Sequence, residues 1–422
     1  MFFLYSLLLF VALVAYSPVY YVKLRLIKGE SLHLKKRLGI GIQKWDRKGK
    51  SLWIHAVSVG EVLSLRNLVS KLREMHPDWF IRISTLTQTG FHIAREKLAG
   101  VDDVVFVPLD FKCIVRRFFK AFEPDLFILA ESEFWPNLLR VAKRWSRGML
   151  LINGRISPRS GARYRKYRFF VTRILRYIDF FLVQTERDKE MLERLDISSS
   201  RISVSGNLKA DIVLPRYTET ELESLRREWN IAGKHHVVVA GSTHRGEEEK
   251  LLAAFVEAKV QRQDIRLILA PRHMGRADEV LLLCAQYGLK AIRRTSGNPG
   301  TSWEVLVLDT LGELAQFYAI SDVSFVGGSL VPRGGQNLLE PAFYGKPVYF
   351  GPHMDNFAFF AQKFIEAEGA CAVGSHKDLV QMFLVKEREA LLKMGSRAGS
   401  ALNSLRGATE MTIAKIESSM ED

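Results

Sequence analysis

At 422 residues the chain exceeds what one hydrophobic core usually organises, so two domains are expected. Its three cysteines, Cys113, Cys284 and Cys371, are far apart and odd in number, which excludes a disulfide scaffold; the ten histidines show no His-x-x-x-His spacing, which argues against a protein-held catalytic metal. The formal charge of +15 raises nucleic acid as a partner, but the charge is concentrated in two places and no nucleic-acid-binding module accompanies it.

In chain order, residues 2–22 carry no charge. As a helix this stretch is long enough to cross about 30 Å of hydrocarbon despite Pro18. The first basic residue, Lys23, follows the apolar run instead of preceding it, which favours a retained anchor over a cleaved signal peptide, with a helix lying in or packed beside the membrane as the other alternative. Residues 23–50 then carry ten Lys/Arg against Glu30 and Asp46, a local charge of +8. That bias predicts an anchor (1–22) and a basic membrane-proximal segment (23–50) facing anionic lipid, with the rest of the chain on the cytoplasmic side.

From Ser51 onward, apolar runs alternate with helical patterns. Strands are predicted at 52–57, 81–86, 104–107, 126–129, 149–152 and 180–183, and again at 237–240, 267–270, 305–308, 323–326 and 347–350. Strand–helix alternation of this kind gives doubly wound, mostly parallel sheets. Residues 207–220, with Pro215 and no sustained apolar period, mark the join, so the domains are expected at 51–210 and 211–385, followed by a polar helical segment at 386–422. Within the first domain a second cationic cluster, acid-free from Arg155 to Arg176, interleaves eight Lys/Arg with Tyr164, Tyr167, Phe169 and Phe170. Beside an anchor it reads as a surface for anionic lipid in preference to nucleic acid, the alternative being an ordinary solvated basic face.

The chemistry-bearing motifs follow strand ends. After the first strand comes His55-Ala56-Val57-Ser58-Val59-Gly60-Glu61, placing Ser58, Gly60 and Glu61 at a cleft edge, with Gly60 expected to allow an abrupt turn. Glu61 reads either as a helix-start carboxylate or as a general base. The second reading is favoured by another acidic strand end, Glu131-Ser132-Glu133-Phe134-Trp135-Pro136-Asn137, with no lysine close in sequence. Glu131 and Glu133 either orient an acceptor, raise the pKa of Glu61 by like charge, or hold a loop together.

In the second domain Gly241, Ser242 and Arg272 follow successive strands, offering backbone N–H groups, a hydroxyl and a guanidinium to a phosphate. Gly327, Gly328 and Ser329 form a glycine-rich turn, and a helix beginning near Gln336 is expected to aim its N–H groups at the same phosphate. Asn337 and Glu340 sit in that helix, with Glu340 placed either for ribose hydroxyls or for helix capping. Lys209, in Gly206-Asn207-Leu208-Lys209, adds a charge on the donor side or is a solvent-facing hinge residue. There is no Gly-x-x-x-x-Gly-Lys-Ser/Thr loop, so a nucleotide-sugar transferase, whose leaving group is already a phosphate, fits better than a triphosphate-driven hydrolase.

In combination and order these motifs resemble the 3-deoxy-D-manno-octulosonic acid (Kdo) transferases over essentially the whole chain. The resemblance implies two Rossmann-like domains of the GT-B glycosyltransferase type, CMP-Kdo as donor with no cofactor, and a lipid A precursor as acceptor at the inner face of the bacterial inner membrane. It implies catalysis by Glu61, acceptor-side roles for Glu131 and Glu133, a donor-phosphate role for Arg272 and a ribose role for Glu340. Gln336 stands where such chains often carry His. A single displacement would invert the anomeric centre, and release of a singly phosphorylated leaving group lessens the need for a metal. The competing readings are another nucleotide-sugar-dependent lipid or glycan transferase, a sugar epimerase, and a noncatalytic lipopolysaccharide-assembly scaffold.

Overall fold

In a computed structural model of the chain, the structure describes residues 2–22, 33–44, 49–231, 233, 235–297 and 302–421. The chain folds as two compact units, residues 1–211 with 406–422 and residues 212–405.

The first unit is built on strands β1 (Ser51–His55), β2 (Phe80–Thr85), β3 (Asp103–Phe106), β4 (Leu126–Ala130), β5 (Gly148–Gly154), β6 (Phe180–Val183) and β7 (Ile202–Val204). They form a seven-stranded sheet in the order β3-β2-β1-β4-β5-β6-β7, with every adjacent pair parallel. Its central strands are apolar runs because helices cover both faces. Leu52 and Ile54 enter one core layer with Val62, Leu68 and Ile128, while Trp53 enters the other with Phe118, Phe119 and Phe127.

The second unit repeats the plan with β8 (His236–Thr243), β9 (Ile265–Pro271), β10 (Ala291–Arg293), β11 (Val305–Val307), β12 (Val323–Val326), β13 (Val348–Phe350) and β14 (Ala370–Ala372). The order is β10-β11-β9-β8-β12-β13-β14, again parallel throughout. Val238 and Ala240 face one core layer, Val237 and Val239 the other. Two parallel sheets of this kind are consistent with a two-domain α/β fold of the GT-B type. The short strands β7, β10 and β14 are additions to the sequence expectation. With three residues each they carry too few apolar positions to show a period.

The membrane anchor is corrected. Phe2–Val22 is one helix, but among the described residues no helix is long and apolar enough to cross a membrane. Part of this helix is committed to protein: the Tyr5 hydroxyl is hydrogen-bonded to Asp110, the Ser6 hydroxyl accepts from Asn137 Nδ2 at 3.1 Å, and the Arg140 guanidinium lies 4.6 Å from the Phe2 ring. Polar side chains satisfied by protein at its first turns are not the continuous apolar surface a span presents to lipid. The inner-membrane localisation inferred from the anchor, with the remaining chain on the cytoplasmic face, falls with it. Of the basic segment, residues 23–32 and 45–48 lie outside the described residues.

The C-terminal helix Ala408–Glu421 belongs to the first unit. The Asp211 carboxylate accepts from Gly407 N at 2.8 Å and Thr409 N at 2.6 Å, satisfying free N–H groups at the helix start. Ala408, Ile413, Ile416 and Met420 complete the core layer of Leu52 and Ile54. Ile416→Ala is therefore expected to destabilise the first unit by about 2–5 kcal/mol. Denaturant unfolding followed in the isolated full chain checks this, and a loss below about 0.5 kcal/mol would remove Ile416 from the core account.

Candidate functional site

In each sheet the strand order reverses beside the strand that begins the unit, between β1 and β4 and between β8 and β12. At such a switch point the connections leave in opposite directions and open a crevice at the carboxyl ends of the strands, where ligands of open α/β sheets bind. The sequence motifs fall on these crevices.

In the first unit, Ser58 caps the short helix Val59–Ser64, its hydroxyl accepting from Glu61 N at 3.3 Å. Glu61 turns its carboxylate back onto the strand end, where Oε2 accepts from Val57 N at 2.7 Å. Its side chain is buried, at 6% exposure. Burial pushes its carboxyl up to about 7, against the pull of the Val57 N–H and Ser58, with Glu131 and Glu133 adding to the rise. Glu61 thus has the helix-start position and a pKa suited to proton transfer near neutrality. Gly60 lies within the helix, and a Cβ there would meet only the Ser58 hydroxyl, at 3.9 Å. The expected abrupt turn at Gly60 is not present.

Glu131 follows β4 in the left-handed region, at φ 60°, a conformation uncommon for glutamate. Burial raises its carboxyl, while Lys209 and Arg155 pull it down and Glu133 pushes it up. The sequence reading of acidic strand ends without a nearby lysine is corrected by this placement. Lys209, expected on the donor side, lies in the first unit, its charge acting on Glu131. Glu133 Oε2 accepts from the Trp135 indole N–H at 2.9 Å. The next helix, Pro136–Trp145, is capped from outside: Asp110 accepts from Asn137 N at 3.1 Å and Leu138 N at 2.7 Å. His55, the last residue of β1, is fully buried with Nδ1 2.9 Å from the Ser84 hydroxyl and its ring edge-on to Trp135. It links the two loops, and no spacing in the sequence marks it.

In the second unit, Gly241 pairs with Val326 of β12 and Ala270 of β9, so Gly241, Ser242, Arg272 and the turn at Gly327, Gly328 and Ser329 gather at adjacent strand ends. Gly327 has to be glycine, since a Cβ would lie 2.5 Å from Ser242 O. The Arg272 side chain is exposed and has no hydrogen-bonded partner among the described residues. The same holds for Arg333, which the sequence reading passed over. His244 lies edge-on to His273, and its Nε2 is 3.2 Å from Gln336 Nε2. Burial lowers the His244 pKa, and His273, Arg333, Arg272 and Arg276 lower it further, so the crevice is electropositive.

The helix expected near Gln336 begins at Leu339 and spans only Leu339–Phe343. The chain first makes a local turn in which Asn337 Oδ1 accepts from Leu339 N at 3.1 Å. Asn337 Nδ2 donates to Glu340 Oε1 at 3.0 Å, fixing one carboxylate oxygen and leaving the other without a hydrogen bond among the described residues. Burial raises the Glu340 carboxyl, opposed by Asn337 and by the charge of Arg272. The N–H groups of the glycine-rich turn are also not free for a phosphate, because Glu247 occupies them. Among the described residues no cluster of three or more His, Cys, Asp or Glu could hold a metal ion.

Residues 32–212 match the family model described as 3-deoxy-D-manno-octulosonic-acid transferase. A 3-deoxy-D-manno-octulosonic acid transferase of Haemophilus influenzae is 31% identical over 370 residues, covering 86% of each chain. A bifunctional glycosyltransferase/methyltransferase of Fusobacterium nucleatum is 34% identical over 92% of this chain, which spans 59% of that relative's length. Among solved structures, a glycosyltransferase from Rickettsia africae shares the fold, with a TM-score of 0.56 at 13% identity over 89% of this chain and 99% of that one. Matched along most of both chains by a relative at this level of identity, the protein belongs to the 3-deoxy-D-manno-octulosonic acid transferase family.

Proposed function

We propose that the protein is an inverting glycosyltransferase that moves Kdo from CMP-Kdo to a lipid A precursor, with Glu61 as general base. The observation that carries this reading is the buried Glu61 carboxyl, at a switch-point crevice, with its pKa raised to about 7. A base of that pKa is half ionised at neutral pH and still strong enough to take a proton in the transition state.

In the proposed reaction Glu61 takes the proton of the acceptor hydroxyl as its oxygen bonds to the anomeric carbon of Kdo. The bond from that carbon to the phosphate oxygen breaks, and CMP leaves with the electron pair. The guanidinium of Arg272 stabilises the departing phosphate, and the free oxygen of Glu340 receives the ribose hydroxyls. Glu131 and Glu133 hold the acceptor sugar, with Lys209 and Arg155 offsetting the charge of Glu131. Ser58 keeps Glu61 in place by fixing the helix start; Gly241, Ser242 and Asn337 shape the donor face. Family membership supports the choice of Kdo and of a lipid A-type acceptor. An epimerase needs no acceptor, so product analysis separates the two classes.

Incubation with CMP-Kdo and lipid A precursor should give CMP and an acceptor heavier by one Kdo or more, read by mass detection. Free sugar isomerisation with an unchanged acceptor would contradict the proposal. Glu61→Gln should lower single-turnover transfer on the order of 10²–10⁴-fold while CMP still binds. Calorimetric titration of Arg272→Ala and Glu340→Ala should show weaker CMP binding in both, and unchanged affinity in both folded variants would remove the assigned donor face.

Glu61 also makes a stability prediction. Its folded-state pKa lies above the ordinary glutamate value of 4.5, so its favourable contribution is complete below about pH 4.5 and lost as pH rises through about 7. Glu61→Gln should therefore gain stability relative to wild type as pH rises, approaching about 3 kcal/mol by pH 9 for a shift from 4.5 to about 7. Denaturant midpoints of the two chains from pH 5 to 9 test this. A pH-independent difference would mean that Glu61 ionises normally.

A further inference from the structure

The glycine-rich turn after β12 presents three successive N–H groups to one carboxylate. Glu247, fully buried, accepts from Gly328 N at 2.6 Å, Ser329 N at 2.9 Å and Leu330 N at 2.8 Å, and from His244 N at 2.8 Å. Converging backbone N–H groups of this kind form a concavity suited to an anion such as phosphate. Here the chain fills the concavity with its own negative charge, and no N–H of the three is left over.

The consequence falls on the crevice between β8 and β12. Its remaining anion-binding groups are side chains: Arg272 after β9 and Arg333 in the loop after β12, whose guanidiniums have no hydrogen-bonded partner among the described residues, with His244 and His273. One phosphate is matched by these groups. A second phosphate extending toward the turn would find its N–H groups consumed and a fixed carboxylate behind them, a like-charge juxtaposition in a partly dry site.

We propose that Glu247 is a specificity-determining residue that restricts the nucleotide to a single phosphate, disfavouring nucleoside diphosphates. This rests on the reading of the second-unit crevice as the donor site. The carboxylate has a structural part as well, since it ties the loop after β8 to the loop after β12, but tying alone would affect mono- and diphosphates equally. Discrimination between them is the property that charge at this position predicts.

Calorimetric titration of the full chain with CMP and with CDP, at fixed pH and salt, tests the inference. Wild type should bind CMP more tightly than CDP by on the order of tenfold or more. Glu247→Gln should narrow that ratio severalfold, whereas Glu247→Asp, which keeps the charge, should preserve it; circular dichroism confirms that each is folded. A ratio unchanged in folded Glu247→Gln overturns the role of Glu247 and leaves the donor face standing. If that variant does not fold, wild type decides, because CDP binding as tight as CMP also overturns the inference. Absence of binding by either nucleotide to wild type overturns the donor-face reading and this inference together.

Discussion

A parallel sheet that grows in both directions from its first strand cannot cover the place where it changes direction. The crossover connections leave that point on opposite faces, and the loops at the carboxyl ends of the two flanking strands are left facing a gap. Both units obey this constraint, with β1 beside β4 and β8 beside β12. Each gap receives what the neighbouring loops carry: carboxylates in the first unit, guanidiniums, imidazoles and the buried carboxylate of Glu247 in the second. The division of chemistry between the two units follows from which residues stand at four strand ends.

The two gaps also show how burial changes a carboxylate's meaning. Glu61 and Glu247 both accept backbone N–H bonds, and both are buried. Glu61 accepts a single N–H from Val57, too little to offset desolvation, and its pKa rises to about 7. Glu247 accepts from four backbone N–H groups and ties the loop after β8 to the loop after β12. The number of N–H groups offered by the local turn separates the two environments.

Much of the sheet architecture was legible, because central strands buried on both faces must be continuous apolar runs, as residues 52–54 and 237–240 are. The motifs at strand ends were legible for the same reason, since a strand end fixes where the next few residues emerge. Contacts between residues distant in sequence were not legible. Nothing in the run Gly246-Glu247-Glu248 distinguishes a carboxylate that closes a loop 81 residues away from one that merely favours a helix start. The placement of Lys209 beside Glu131 and the return of residues 408–421 to the first unit are of the same kind. The anchor expectation failed because apolarity counted along residues 2–22 does not register that Tyr5 and Ser6 are bonded to Asp110 and Asn137. The helix expected near Gln336 was displaced because an asparagine turn at Asn337 competes for the same N–H groups.

The central claim is that the buried Glu61 carboxylate takes the acceptor's proton, and the pH dependence of single-turnover Kdo transfer tests it most directly. With saturating CMP-Kdo and lipid A precursor, the account predicts a wild-type rate that rises with pH through an apparent pKa near 7, the value to which burial raises Glu61. A rate independent of pH between 5 and 9, or a Glu61→Gln chain that retains the wild-type profile, would contradict it.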